Sequence, residues 1–128
     1  MSPWTDHQLD RIGAAEQLEV ATERQDGSLR PYTTIWVVRI GDDLYVRSAY
    51  GPGNGWYKRA KEGGAGRIKS AGVIRDVVFT WVADDDHDLH AAIDAEYERK
   101  YAAHTPAVIA TVVGEHVHGT TLKVDAND

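Results

Sequence analysis

Residues 32–48 read YTTIWVVRIGDDLYVRS. From Tyr32 to Ile40 the run is apolar on both faces, the pattern of a strand covered on each side. Gly41-Asp42-Asp43 is turn chemistry. Leu44 to Ser48 then alternates, with Leu44 and Val46 on one face and Tyr45 and Arg47 on the other. Upstream, Leu18 to Glu23 also alternates and ends before an Asp26-Gly27 turn. Together the three segments predict an antiparallel meander.

Working outward, Thr5 and Gln8 have capping-box spacing and Trp4 with Leu9 the spacing of a hydrophobic staple, so a helix is expected to end near Glu16. A short helix is predicted from Trp56 to Glu62, stopped by Gly63-Gly64. Strands follow at Arg67–Ser70 and Val73–Val82, joined by Ala71-Gly72. Asp84 to Asp88 is an acidic helix start. That helix should run to about Ala103, with Leu89, Ile93, Tyr97 and Tyr101 on one face and an exposed Glu96–Lys100 pair. Further strands are expected at Val108–Val113 and Thr121–Val124. Strand-rich order with hairpin turns predicts one mainly β domain over residues 1–128, closed into a barrel with flanking helices.

The chain has 128 residues and no cysteine, which excludes disulfides, thiolate nucleophiles and cysteine metal sites. MSPWTDHQLD at the start has no apolar core of a signal peptide, and no apolar run is long enough to span a membrane. A cytoplasmic location, with no membrane partner, is expected. Charge is unevenly placed: residues 24–75 carry ten basic side chains against four acidic ones, in a chain of net charge −6. A basic middle between acidic flanks fits a small anionic ligand better than nucleic acid. Solvated strand edges would give the same pattern.

The basic centre contains RSAYGPGNGWYKRAKE, residues 47–62. Glycines permit positive φ and let backbone N–H groups line a concavity for an anion, with a helix N-terminus near Gly55 adding to it. Arg47 and Lys58 would then neutralise a phosphate. Trp36, Trp56, Tyr57 and Trp81 are the aromatics able to flank a planar ring, although mid-strand Trp36 and Trp81 also suit a core. His87 and His90 are three apart on a predicted helix, and His116 and His118 alternate on a predicted extended segment. Nothing in the spacing makes them converge as a metal site, so no metal is expected. Tyr97 and Tyr101 read as packing residues rather than proton donors, and no nucleophile motif occurs.

TIWVVRIGDDLYVRS, the glycine loop and WYKRA together resemble an uncharacterised bacterial family of unknown function over nearly the whole chain. The first hairpin, the loop and its helix resemble, in turn, the deazaflavin-dependent nitroreductases of the FMN-binding split-barrel superfamily. The resemblance implies a split β-barrel, FMN-binding-like, and a homodimer. It also implies a deazaflavin coenzyme, or alternatively FMN, bound by Arg30, Thr33, Thr34, Trp36, Arg47, Ser48, Ala49, Tyr50, Gly51, Gly53, Asn54, Trp56, Tyr57 and Lys58. Hydride transfer to a small organic acceptor would follow, the coenzyme carrying the redox chemistry, with no catalytic side chain named. Two departures from the family pattern, the turn Glu23-Arg24-Gln25-Asp26-Gly27 and the pair Ala49-Tyr50, favour an alternative: a non-catalytic module of the same fold that binds another small ligand and no coenzyme.

Overall fold

The computed structural model describes residues 4–49 and 51–127. Their strands are β1 (Leu18–Thr22), β2 (Thr33–Ile35), β3 (Val38–Ile40), β4 (Asp43–Val46), β5 (Ala65–Ser70), β6 (Val73–Trp81) and β7 (Leu122–Ala126). The helices are α1 (Asp6–Ala14), α2 (Gly55–Gly63), α3 (His87–Lys100), α4 (Pro106–Ile109) and α5 (Glu115–His118). The strands form one antiparallel sheet in the order β2-β1-β5-β6-β7-β4-β3.

The outermost strands, β2 and β3, are separated in sequence by Trp36 and Val37 alone. Such a link reaches about 11 Å at most. Outer strands of a flat seven-stranded sheet would stand roughly 29 Å apart. The sheet therefore curls until its edges meet, an α+β split barrel of the expected class. The expected strand Tyr32–Ile40 is accordingly two strands, and the meander is broken: β2 pairs with β1, and β3 with β4. At the corner the Val37 N–H donates to the Tyr101 hydroxyl (3.2 Å), and the Lys100 ammonium donates to the Val37 carbonyl (2.6 Å). Tyr101 itself donates to the Glu16 carbonyl at 2.6 Å. Side chains of α3 thus replace the ladder bonds that the corner gives up.

Local signals locate most other elements. Thr5 and Gln8 make both capping-box bonds, each 3.1 Å, and the stapling pair Trp4 and Leu9 is buried. Helix α2 stops at Gly64, whose φ of 73° is left-handed. Ala71 and Gly72 both take positive φ, as a two-residue hairpin turn between β5 and β6 requires.

Two apolar clusters lie on opposite faces of β3 and β4. Inside the barrel, Leu9, Ile12, Leu18, Val20, Val37, Leu44, Val46, Ile68, Leu122 and Val124 pack together. Outside it, Val38 and Tyr45 pack against Ile93 and Tyr97 of α3, Tyr101 at its C-terminal cap, and Val112. This accounts for the doubly apolar stretch with which the sequence reading began.

Three local expectations are corrected. Val108–Val113 is not a strand: Thr105 and Pro106 start α4, and turn bonds continue to Val112. His116 and His118 lie on α5, not on an extended segment. Glu96 pairs with Arg99 (2.5 Å), while Lys100 turns inward to Val37.

A buried cation fastens α3 and residues 111–121 to the end of β4. Arg47, 2% exposed, donates to the Asp94 carboxylate, the Val112 carbonyl (2.7 Å), the Thr121 hydroxyl (2.9 Å), His90 Nδ1 (3.2 Å) and the His90 carbonyl (3.4 Å). All the guanidinium N–H groups are thereby engaged. His90 Nε2 donates to the Ala83 carbonyl (2.8 Å), so Nδ1 carries the lone pair that accepts from Arg47. Asp94 also accepts from His118 Nε2 (2.9 Å) and the Gly114 N–H (3.3 Å). Burial pushes the Asp94 carboxyl up, but the bonds from His118 and Arg47 outweigh it and hold it below the usual carboxylate range.

Tyr101→Phe leaves the Val37 N–H and Glu16 carbonyl without their shared partner and is expected to cost about 2 kcal/mol in urea unfolding. Ionised Asp94 contributes stability that is complete above about pH 4 and fades as pH falls through its lowered folded value. Asp94→Asn should therefore cost about 3 kcal/mol at neutral pH, where it leaves Arg47 uncompensated. The gap from the parent protein should narrow in unfolding curves taken at progressively lower pH.

Candidate functional site

A cavity of about 420 Å³ opens beside the barrel's closing corner. One wall is β2 and the residue after it: Thr33, Thr34, Ile35 and Trp36. Across from it stand Asn54 and Trp56, at the start of α2. Val108, Thr111 and Val112 form a third side, and Arg47 with Ala49 line it from the end of β4. The lining is thus aromatic and aliphatic, punctuated by hydroxyls and one amide, as small-molecule sites commonly are.

Trp36 is placed by stacking: its ring lies 3.9 Å from that of Tyr101 at 5° between planes, with His104 tilted against it at 4.7 Å. One face of the indole is therefore occupied. Trp56 is 7% exposed and belongs to the barrel core, so it meets the cavity only in part.

Seven of the residues expected at a cofactor site line this cavity: Thr33, Thr34, Trp36, Arg47, Ala49, Asn54 and Trp56. Arg47 does so without a free donor, so it does not serve as the phosphate ligand expected of it. Its charge faces Asp94, and among the described residues no other charged residue lines the cavity. Ser48 is fully buried and its hydroxyl donates to the Gly51 carbonyl (2.5 Å) while accepting from the Asn54 amide (2.9 Å). The loop is thus fastened from within by the Ser48 and Asn54 side chains. Gly51 needs its glycine for a φ of 89°, whereas Gly53 takes an ordinary φ and has open space where a side chain would begin.

The remaining expected residues lie elsewhere. Tyr57 is buried and donates to the Gly119 carbonyl at 2.9 Å, so it packs in the core instead of walling a ring. Lys58 is exposed and lies outside the cavity lining. Tyr50 lies outside the described residues. Arg30 is half-buried, and its Nε is buried with no hydrogen-bond partner. Its backbone N–H donates to the Thr22 carbonyl (2.9 Å), and Arg59 Nε donates to the Thr22 hydroxyl (3.2 Å). Arg59 also lies over the first turn of α2, its Nη1 2.8 Å from where a Gly55 side chain would begin. Two guanidinium-bearing residues thus meet at Thr22, near β2 and the α2 start.

Sequence reading did not identify Ile35, Val108, Thr111, Val112 or Arg59. For residues 108–112 the β-branched run reads as a strand, and only Thr105-Pro106 signals the helix. The histidines come together only in part: His90 and His118 stack at 4.6 Å, while His87 and His116 are exposed. Among the described residues no group of three His, Asp or Glu is placed to hold a metal ion. Tyr97 and Tyr101 lie outside the cavity lining, and burial pushes both phenols up, so neither offers a proton there.

No curated protein sequence matches the chain. Solved structures do. HutZ, the heme storage protein from Vibrio cholerae, has a TM-score of 0.68 at 10% identity, over 96% of this chain and 90% of its own. A candidate 5-nitroimidazole antibiotic resistance protein from Bacteroides thetaiotaomicron has 0.61 at 14% identity, over 100% and 83%. An F420 reductase has 0.61 at 15% identity, over 98% and 97%. Likeness at such identities is a likeness of fold, and it joins this chain to the split barrels. Among the described residues no helix is long and apolar enough to cross a membrane. By a family pattern that matches residues 8–124, the chain belongs to DUF2255, described as an uncharacterized protein conserved in bacteria.

Proposed function

We propose that the cavity between Trp36 and Trp56 binds the ring of a flavin-type cofactor. The observation that carries this is the unpartnered, buried Arg30 Nε close in sequence to Thr33 and Thr34 of the cavity wall. A buried guanidinium N–H without an acceptor is costly, and a bound anion would relieve it. Arg30 and Arg59 therefore take the phosphate-bearing end, in place of Arg47 and Lys58. Thr33, Thr34, Thr111 and Asn54 supply hydrogen bonds to ring heteroatoms, and the free face of Trp36 with the edge of Trp56 walls the ring. A heme fits less well, because among the described residues no His, Met or Tyr lines the cavity to serve as an axial ligand.

When bound, a deazaflavin or FMN supplies hydride transfer to a small organic acceptor. The chain's own contribution is orientation and the exclusion of water by Trp36, Trp56 and Val112. Val108, on the cavity rim and 44% exposed, is apolar surface that a second copy would cover, so a homodimer belongs to the proposal.

The non-catalytic alternative has an observation of its own. Arg47 and Ser48, two groups expected to hold the coenzyme, are wholly engaged by the protein.

Titrating the protein with deazaflavin coenzyme and with FMN, followed by fluorescence quenching, separates the readings. Micromolar binding to one of them is expected. Arg30→Ala should weaken it about tenfold, the worth of one charge-assisted contact, and Lys58→Ala should leave it unchanged. Failure of both coenzymes to bind would leave the non-catalytic module. Filling the cavity with Thr111→Trp should abolish binding while the far-ultraviolet circular dichroism stays that of the parent.

A further inference from the structure

The cluster around Arg47 holds two imidazoles whose surroundings treat an added proton in opposite ways. His90 and His118 stack with ring centres 4.6 Å apart and 7° between planes. His90 is fully buried and both ring nitrogens are engaged, Nε2 donating to the Ala83 carbonyl and Nδ1 accepting from Arg47. A proton on Nδ1 turns that acceptor into a donor aimed at a guanidinium N–H, so His90 becomes charged only by giving up Arg47. His118 is partly exposed and donates from Nε2 to Asp94, and its Nδ1 has no hydrogen-bond partner among the described residues. It takes a proton there without breaking a bond and gains charge beside a carboxylate.

The groups facing the pair come from several elements. Arg47 approaches from the end of β4, and Asp94 from α3, one turn after His90. Tyr97, a neutral phenol, has its ring centre 5.7 Å from the guanidinium carbon. Asp86, the N-cap of α3, accepts from the Leu89 N–H (3.4 Å) and with Asp43 and Asp125 surrounds the Tyr45 phenol. Lys123 lies between Asp43 and Asp125, while His87, Glu115 and His116 are exposed. Arg47 and Asp94 cancel each other. A proton on His118 leaves one net positive charge, and a second on His90 sets three cations against one carboxylate.

The same cluster carries residues 105–118, which include α4 and α5. Among the described residues, the hydrogen bonds of this segment beyond itself and its flanking residues run to Arg47 and Asp94 alone. The Val112 carbonyl accepts from Arg47 (2.7 Å), and the Gly114 N–H (3.3 Å) and His118 Nε2 (2.9 Å) donate to Asp94.

We propose that the stacked His90–His118 pair is a proton-operated latch on residues 105–118, holding them against Arg47 and Asp94 while His90 is neutral and releasing them when His90 takes a proton. Val108, Thr111 and Val112 of this segment line the cavity, so the latch sets how firmly that side of it is held. In the released arrangement both imidazoles meet water and titrate as ordinary histidines, at about pH 6.5. The latched arrangement takes one proton, on His118, where the released one takes two. Its advantage therefore holds from neutral pH down to about 6.5 and below that falls about tenfold per pH unit, the weight of one proton. Asp94 stays ionised over this range, because the bonds from His118 and Arg47 hold its carboxyl below the usual carboxylate values.

The test is amide hydrogen exchange on the intact chain without added coenzyme, from about pH 7.5 to about pH 5, corrected for the intrinsic pH dependence of exchange. Protection at Val112, Gly114 and Val117 is expected to fall about tenfold between about pH 6 and about pH 5, while the amides of β5 change by less than about twofold. His90→Gln keeps an oxygen acceptor for Arg47 and removes the titrating ring, so the fall should disappear. In parallel, nitrogen-15 spectra of the imidazoles should show His118 titrating first and His90 remaining the neutral Nε2–H tautomer until protection is lost. Unchanged protection in the wild type, a fall that persists in His90→Gln, or a charged His90 while Gly114 stays protected would each overturn the proposal. Should His90→Gln fail to fold, the wild-type imidazole spectra decide the matter by themselves. None of these readouts depends on whether a flavin-type cofactor binds the cavity.

Discussion

A link of two residues, Trp36 and Val37, joins the opposite edges of the sheet, and most of the structure follows from that constraint. Strand edges that are joined so tightly force the sheet to roll, and a rolled sheet gives up its ladder bonds at the turn. The bare N–H and carbonyl of Val37 must then find partners elsewhere. Tyr101 and Lys100 provide them from the end of α3, which fixes where that helix sits. The same corner turns Trp36 onto the Tyr101 ring and toward the cavity. Closure of the barrel and construction of the candidate site are one geometric event.

The second organising element is Arg47, a charge placed where an apolar side chain would pack more cheaply. A buried ion pair adds little net stability over a well-packed isostere, but it demands particular partners in particular places. Here those partners come from α3, from residues 112–114 and from Thr121. A segment with short helices and little apolar burial of its own is thereby held in one arrangement. In consequence the most basic-looking position beside the glycine loop is unavailable to a ligand, whereas Arg30 keeps a buried Nε without a hydrogen-bond partner.

Legibility in the sequence tracked the range of the interaction. Thr5 with Gln8, Gly64 after α2 and Ala71-Gly72 are local devices, and each is read correctly from its immediate neighbours. The doubly apolar run was also legible, since alternation reports burial on both faces. Its break at Trp36 was not, because only Tyr101, Lys100 and Glu16, far away in the chain, make the break affordable in hydrogen bonds. The same holds for the site. Thr33, Thr34, Trp36, Asn54 and Trp56 follow from the resembling pattern, whereas Arg47 looks like a surface cation until Asp94 is seen beside it. Residues 108–112 misled because β-branched residues favour strands on average, while Thr105-Pro106 and the Arg47 bond to Val112 decide the actual conformation.

The division of the apolar interior into two clusters has a bearing on motion. The inner cluster is enclosed by the curled sheet, while the outer one is roofed by α3 and the chain that follows, pinned by a few polar bonds. Regions with fewer buried apolar contacts open at lower free energy than the whole molecule unfolds. Thr33 and Thr34 belong to the sheet and Trp56 to the helix packed on the inner cluster, while Val108, Thr111 and Val112 belong to the roof, so the cavity lies along the seam. Of the cavity's walls, the roof is thus the one expected to open at the lower free energy, with the strands still rolled.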